Sequence, residues 1–141
     1  MHDDHLLDDQ YRDLLAFRTG LRRFLRWSEK EAAAAGLTAQ QHQLLLAIRG
    51  HSGSEAPTVG DAADHLLLRH HSVVELVDRA EQAGLVRRLA DHADRRIVRL
   101  ALTAKGRRTL RQLSAAHLEE LTRLAPIIQR LARALDHNSS F

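Results

Sequence analysis

The chain contains no cysteine. That absence excludes disulfides, thiolate zinc sites and cysteine-based redox sensing together. It also lacks any apolar run long enough to cross a bilayer, so no membrane partner is expected. Its first residues, Met1-His2-Asp3-Asp4-His5, are acidic and polar, unlike a secretory signal. A soluble, cytoplasmic protein is the expectation. The short motifs that carry catalysis are missing as well. There is no Gly-x-Ser-x-Gly, no P-loop and no His-Glu-x-x-His. Ser72 follows His71, but neighbouring side chains diverge around a helix and make no dyad. No catalytic residue and no cofactor is assigned. Without repeats or a low-complexity linker, 141 residues read as a single domain, 1–141.

What the chain has is positive charge in one place. The net charge is only +3, yet residues 85–111 hold nine Lys and Arg against Asp91 and Asp94. That segment therefore carries +7 and the remainder −4. A concentrated basic segment on a weakly charged protein is the footprint of a polyanionic partner. A solvated, arginine-rich surface is the plainer explanation of the same charge.

Helical periodicity starts at Leu6 and runs to about Ala35. Leu7, Tyr11, Leu14, Phe17, Leu21, Phe24 and Ser28 recur at spacings of three and four, and Gly36 closes the helix. Thr38-Ala39-Gln40-Gln41 opens a second helix with a capping-box pattern, and Leu44, Leu45 and Ile48 form its stripe. Residues 51–57 are a loop by every turn signal. Thr58-Val59-Gly60-Asp61 repeats the cap with aspartate and leads a short helix to about Leu67, with Val59, Ala62, Ala63 and Leu66 inward.

The segment His70–Gly84 comes next. Val73, Leu76, Val77 and Ala80 share one face, and His71, Val74, Glu75, Asp78 and Gln82 the opposite one. Gly84 stands where a helix needs a left-handed residue to stop. Two strands, 85–89 and 97–102, flank a polar turn, with cationic residues concentrated along them. Thr103 opens another helix with Leu110, Leu113, His117, Leu121 and Leu124 on one face. Pro126 interrupts, and a last helix runs from about Ile127 to Leu135, with a frayed end over residues 136–141. The fold class is mainly α with a small β-hairpin wing. A winged helix-turn-helix core, 37–102, is flanked by helical segments 6–35 and 103–136. Those flanking helices have more apolar face than the core can cover. A second copy would cover it, making 6–35 and 103–136 dimerisation helices of a homodimer; packing within one chain is the alternative.

The chain from Gly36 to Leu110 resembles the MarR family of transcription regulators. The resemblance is carried by Gly36-Leu37-Thr38, Thr58-Val59-Gly60-Asp61-Ala62-Ala63, Leu76-Val77-Asp78-Arg79, Ala83-Gly84-Leu85-Val86-Arg87-Arg88, Asp94-Arg95-Arg96 and Leu102-Thr103-Ala104-Lys105-Gly106, in order. It implies a homodimer with intertwined terminal helices that binds double-stranded DNA at a pseudo-palindromic site. Most such proteins are repressors, and a small-molecule effector often releases them. The recognition helix would enter a major groove and the wing a flanking minor groove. On that alignment His70, His71, Ser72, Val74 and Glu75 face DNA. Arg96 is the wing arginine, with Asp94 orienting it. An arginine suits the enhanced negative potential of a narrow minor groove, and a carboxylate can hold its fork. Arg95, with Arg87 or Arg88, would hold phosphates, which positions without reading sequence. Lys105, Arg107 and Arg108, near a helix start, are weaker phosphate candidates.

Two residues depart from the family pattern. Arg69 stands where a small hydroxyl residue commonly caps the recognition helix, which points to Ser72 as the cap of a later start. Glu75 could accept from a cytosine amine, or repel phosphate. If it repels, the chain becomes a winged-helix protein–protein interaction module that no longer binds DNA. Ten histidines invite a metal, but no spacing closes a ligand set and no metal site is assigned. Trp27, the sole tryptophan, is a core or interface anchor or the wall of an effector pocket. His42 and His117 join it as pocket candidates, because the family packs their helices near its effector site.

Overall fold

The computed structural model describes residues 2–138. Residues 139–141, part of the expected frayed end, lie outside them. The elements run α1 (His2–Ala34), α2 (Ala39–Gly50), α3 (Val59–Leu66), α4 (His70–Gln82), β1 (Val86–Ala90), β2 (Val98–Leu102), α5 (Ala104–Leu121) and α6 (Ala125–Asn138). The chain divides into two compact units. One comprises Glu31–Ser114; the other comprises the residues up to Lys30 and those from Ala115 on.

Local chemistry explains most boundaries in the unit Glu31–Ser114. Gly36 takes φ +84°, and the Leu37 N–H returns to the Ala32 carbonyl, which closes α1. Both threonine boxes form. The Thr38 hydroxyl accepts from Gln41 N at 3.1 Å while the Gln41 side chain accepts from Thr38 N at 3.0 Å. Thr58 and Asp61 make the same exchange at 3.0 and 2.9 Å. The α3–α4 turn has no glycine. Leu67 itself adopts the left-handed conformation, φ 55°, as the C-cap of α3.

The inward face of α4 is the expected one: Val73, Leu76, Val77 and Ala80 are buried. They join Leu44 and Leu45 of α2, Val86 of β1 and Leu100 of β2 in one apolar core. Burial of this kind gives roughly 1.5–3 kcal/mol per large side chain, so α4 is held chiefly by that face. Its N-terminus differs from expectation. α4 starts at His70 with Arg69 as N-cap residue, and no side chain caps it. Ser72 lies inside the first turn. The Val73 N–H already bonds the Arg69 carbonyl, so burial of Val73 closes that turn without a hydroxyl cap.

The strands form an antiparallel hairpin, Val86 opposite Leu102 and Ala90 opposite Val98. Each starts one residue later than expected. Leu85 is spent on the core, and its carbonyl accepts from Thr103 N. Loop 51–57 packs along the hairpin through Leu100 N–H to Pro57 C=O, 2.8 Å. The Thr103 hydroxyl then donates to Gly84 C=O and accepts from Gly106 N, joining the start of α5 to the end of α4.

In the other unit α1 passes close to the chain entering α6. A Cβ on Gly20 would come within 2.6 Å of a Leu124 methyl. Pro126 does not interrupt a helix. The break falls at residues 122–124, and Pro126 sits in the first turn of α6, where its missing N–H costs nothing. Tyr11, Leu15, Leu118 and Leu135 of this unit are 64–69% exposed. Among the described residues no helix is long and apolar enough to cross a membrane.

Candidate nucleic-acid interface

The outer face of α4 carries His70, His71 and Glu75 exposed, with Ser72 and Val74 half-buried. Further along it Asp78 and Glu81 are also exposed, so this surface is acidic. Arg88 of β1 answers that charge. Its guanidinium donates to Asp78 and to Glu81, 2.6 Å each, and more weakly to the Val74 carbonyl at 3.4 Å. The Arg88 N–H adds a 3.3 Å bond to Glu81. Burial opposes its charge, but the two carboxylates hold its pKa above the ordinary arginine value. Arg88 is thereby committed to the helix. Glu75 alone among the three carboxylates of the outer face has no ion-pair partner among the described residues.

The wing turn, residues 91–97, is built on two aspartates. Asp91 accepts from the N–H groups of Ala93 and Asp94, 3.0 Å each, through one oxygen. Its other oxygen accepts from Arg99 Nε at 2.7 Å. Arg99 also donates to the Ala56 carbonyl at 2.7 Å and pairs with Glu55 at 2.5 Å. That bond to Arg99, helped by the two N–H donors, holds the Asp91 carboxyl below its usual pKa.

Asp94 grips Arg96 the same way. It accepts from Arg96 N at 3.0 Å, from Nε at 3.1 Å and, through the second oxygen, from a terminal nitrogen at 3.2 Å. The Arg96 side chain pair lowers the Asp94 pKa first, and the Arg96 N–H second. Arg96 is nonetheless 91% exposed in its side chain. A guanidinium held at its root and open at its tip suits an external acceptor. Arg95 beside it is exposed.

Helix and wing share a surface. His70 and Val74 of α4, Arg88 of β1, Arg96 and Ile97 of the wing, and Thr58 before α3 all line one concavity of about 500 Å³. Of the nine cations in residues 85–111, Arg88 and Arg99 are fully engaged internally. Lys105 and Arg107 each give a bond to a backbone carbonyl, Ala83 and Leu102. Sequence periodicity reveals neither network, since both join residues from separate elements.

The effector candidates fall in both units. Trp27 and His117 come together, ring centroids 4.7 Å apart, with Phe24 5.7 Å from His117. Ser28 Oγ lies 2.6 Å from His117 Nε2. His42 belongs to Glu31–Ser114, buried on α2. Among the described residues no group of three or more His, Asp or Glu is placed to hold a metal. His51 and His65 meet, 3.0 Å between ring nitrogens.

The MarR family pattern matches residues 35–97. The HTH-type transcriptional regulator PecS of Dickeya dadantii is 25% identical over 114 residues, 72% of this chain and 69% of that protein. The transcriptional activatory protein BadR of Rhodopseudomonas palustris is 34% identical over 74 residues, 52% of this chain but only 42% of that protein. The fold is shared with the MepR–DNA complex of S. aureus, TM-score 0.70 at 20% identity, covering 90% of this chain and 96% of that one. It is shared also with CouR from Rhodococcus jostii RHA1 bound to p-coumaroyl-CoA, TM-score 0.69 at 26% identity, covering 92% and 91%.

Proposed function

We propose that the chain, whose residues 35–97 match the MarR family pattern, is a cytoplasmic, non-enzymatic transcription regulator of that family: a homodimer that represses by binding a pseudo-palindromic site on double-stranded DNA. One observation carries the reading. His70 and Val74 of α4 and the Asp94-held Arg96 border a single concave surface, as a reader of a major groove and its flanking minor groove requires. Arg96 takes the narrow groove, Arg95 a phosphate, and His70, His71, Ser72, Val74 and Glu75 face base edges.

Arg88 contributes by neutralising Asp78 and Glu81, which lets an acidic helix approach a polyanion. The exposed apolar residues of α1, α5 and α6 support dimer formation through a self-complementary face. Trp27 and His117, whose rings meet within one unit, are the residues we assign to an effector. MepR in complex with DNA and CouR bound to an acyl-CoA lend both partners support.

The experiment is selection from a random duplex pool, followed by titration of the enriched site. Enrichment of a two-fold symmetric site whose affinity falls steeply with salt is the expected result. No enrichment at low salt would leave the protein–protein module as the function, with Glu75 as its cause.

A further inference from the structure

Two neighbouring concavities of the unit Glu31–Ser114 are walled by arginine. The first, about 280 Å³, is lined by Arg49, Leu102, Arg107, Leu110, Arg111 and Ser114. The second, about 380 Å³, shares Arg49, Leu102 and Arg107 with it and adds Arg87. Guanidiniums from α2, β1 and α5 thus border one continuous surface. Arg49, Arg87 and Arg111 enter no ion pair among the described residues. Arg107 gives one N–H to the Leu102 carbonyl at 3.2 Å, which leaves its other donors outward. Glu55, the carboxylate at the rim, is already taken by Arg99.

The fold gains little from this arrangement beyond the Arg107 bond to Leu102 and the place of Arg49 at the C-terminal end of α2. Arg107 and Arg111 stand four apart on α5, where like charges disfavour a helix. Arg49 in the last turn of α2 adds a third charge. The floor is apolar, Leu102 and Leu110, so water screens these charges less than on an open face. A bound anion would relieve the repulsion. The surface shares no residue with the concavity between α4 and the wing, and it gives Arg87 and Arg107, phosphate candidates by sequence, a ligand other than DNA. Strand alternation turns Arg88 toward α4 and Arg87 to the opposite face of the hairpin, opposite Ala101.

We propose that this surface binds a small phosphate-bearing anion with two charged groups, of the pyrophosphate or bisphosphate class. Arg111 and the Ser114 hydroxyl take one group, Arg87 takes the other, and Arg49 with Arg107 stands between them. Guanidinium forks match phosphate oxygens in pairs, which gives arginine its preference for such ligands. The inference stands apart from DNA binding and is read without DNA.

The test is calorimetric titration of the whole chain with sodium pyrophosphate at constant ionic strength. Saturable binding is expected, weaker for orthophosphate. Arg49→Gln and Arg111→Gln should each weaken it about tenfold or more. Arg108→Gln removes a charge from the same helix but lines neither concavity, and should leave it unchanged. Unfolding midpoints of the variants confirm folded protein. Three results would each overturn the proposal: no saturable heat from the wild type, an equal loss in Arg108→Gln, or competition of pyrophosphate by duplex DNA with loss of DNA affinity in Arg49→Gln. The last would give these arginines to the nucleic-acid backbone.

Discussion

The Arg88 guanidinium lies 2.6 Å from the Asp78 carboxylate, so the first strand of the hairpin is bonded to the outer face of α4. Glu81 completes the clamp at the same distance. Removing Arg88 leaves two unpaired carboxylates on the outer face of α4, which we propose faces DNA. Arg88→Ala should lower stability by about 0.5–1 kcal/mol, the range for partly exposed pairs. It should weaken DNA binding while leaving the salt slope unchanged, because Arg88 itself holds no phosphate. A denaturant titration and a salt series on one duplex check both. A slope lowered by about one charge would make Arg88 a phosphate ligand after all.

Acid should loosen α3 first through its cap. Asp61 accepts from the Thr58 N–H, the largest cause of its lowered pKa; burial opposes this, and the Thr58 hydroxyl bond and the positive field of His51 and His65 assist. A carboxyl whose folded pKa is depressed stabilises the fold above its unfolded value of 3.8 and loses that contribution as pH falls through the lower folded value. Asp61→Asn should therefore be less stable than wild type at neutral pH. The difference should shrink as pH falls below 3.8 and on through the lower folded value, where wild-type Asp61 is neutral in both states. Urea midpoints across that range measure it. A difference independent of pH would mean that the charge contributes nothing.

Much of this fold is legible in the sequence because its signals are local. The Thr38 and Thr58 boxes, the left-handed glycines Gly36 and Gly84, and the buried stripe of α4 each need only a few consecutive residues to be recognised. The start of α4 was not legible. Nothing near Arg69 announces that Val73 burial substitutes for a cap. The Arg88 and Arg99 networks were hidden for another reason: their carboxylates come from separate elements, and only the folded hairpin brings them together. Counting cations therefore overstated the charge free for DNA.

Gly106 packs where no side chain fits. A Cβ there would lie 2.1 Å from the Leu85 carbonyl oxygen, which is backbone and cannot move aside alone. Gly106→Ala should cost about 1–3 kcal/mol by forcing α5 off the root of the hairpin. Thermal or urea unfolding reads this. An unchanged midpoint would mean that the close approach relaxes freely.

The homodimer reading rests on exposed apolar residues of the unit that contains α6. Leu15→Asp together with Leu118→Asp places two charges among them, at sites 64% and 69% exposed in the single chain. Sedimentation should find wild type as a dimer and the double variant as a monomer that retains its helical signal. A dimeric double variant would move the interface elsewhere.

The central claim is that α4 selects the site while Arg96 anchors the wing in the adjacent groove. Equilibrium binding of Arg96→Ala to the selected duplex, beside wild type and across salt concentrations, tests it most directly. Asp94 bonds Arg96 without burying it, so the fold and the dimer should survive the change. The account predicts at least about tenfold weaker binding, ~1.4 kcal/mol, with the preferred bases under α4 unchanged. Wild-type affinity in Arg96→Ala would contradict it.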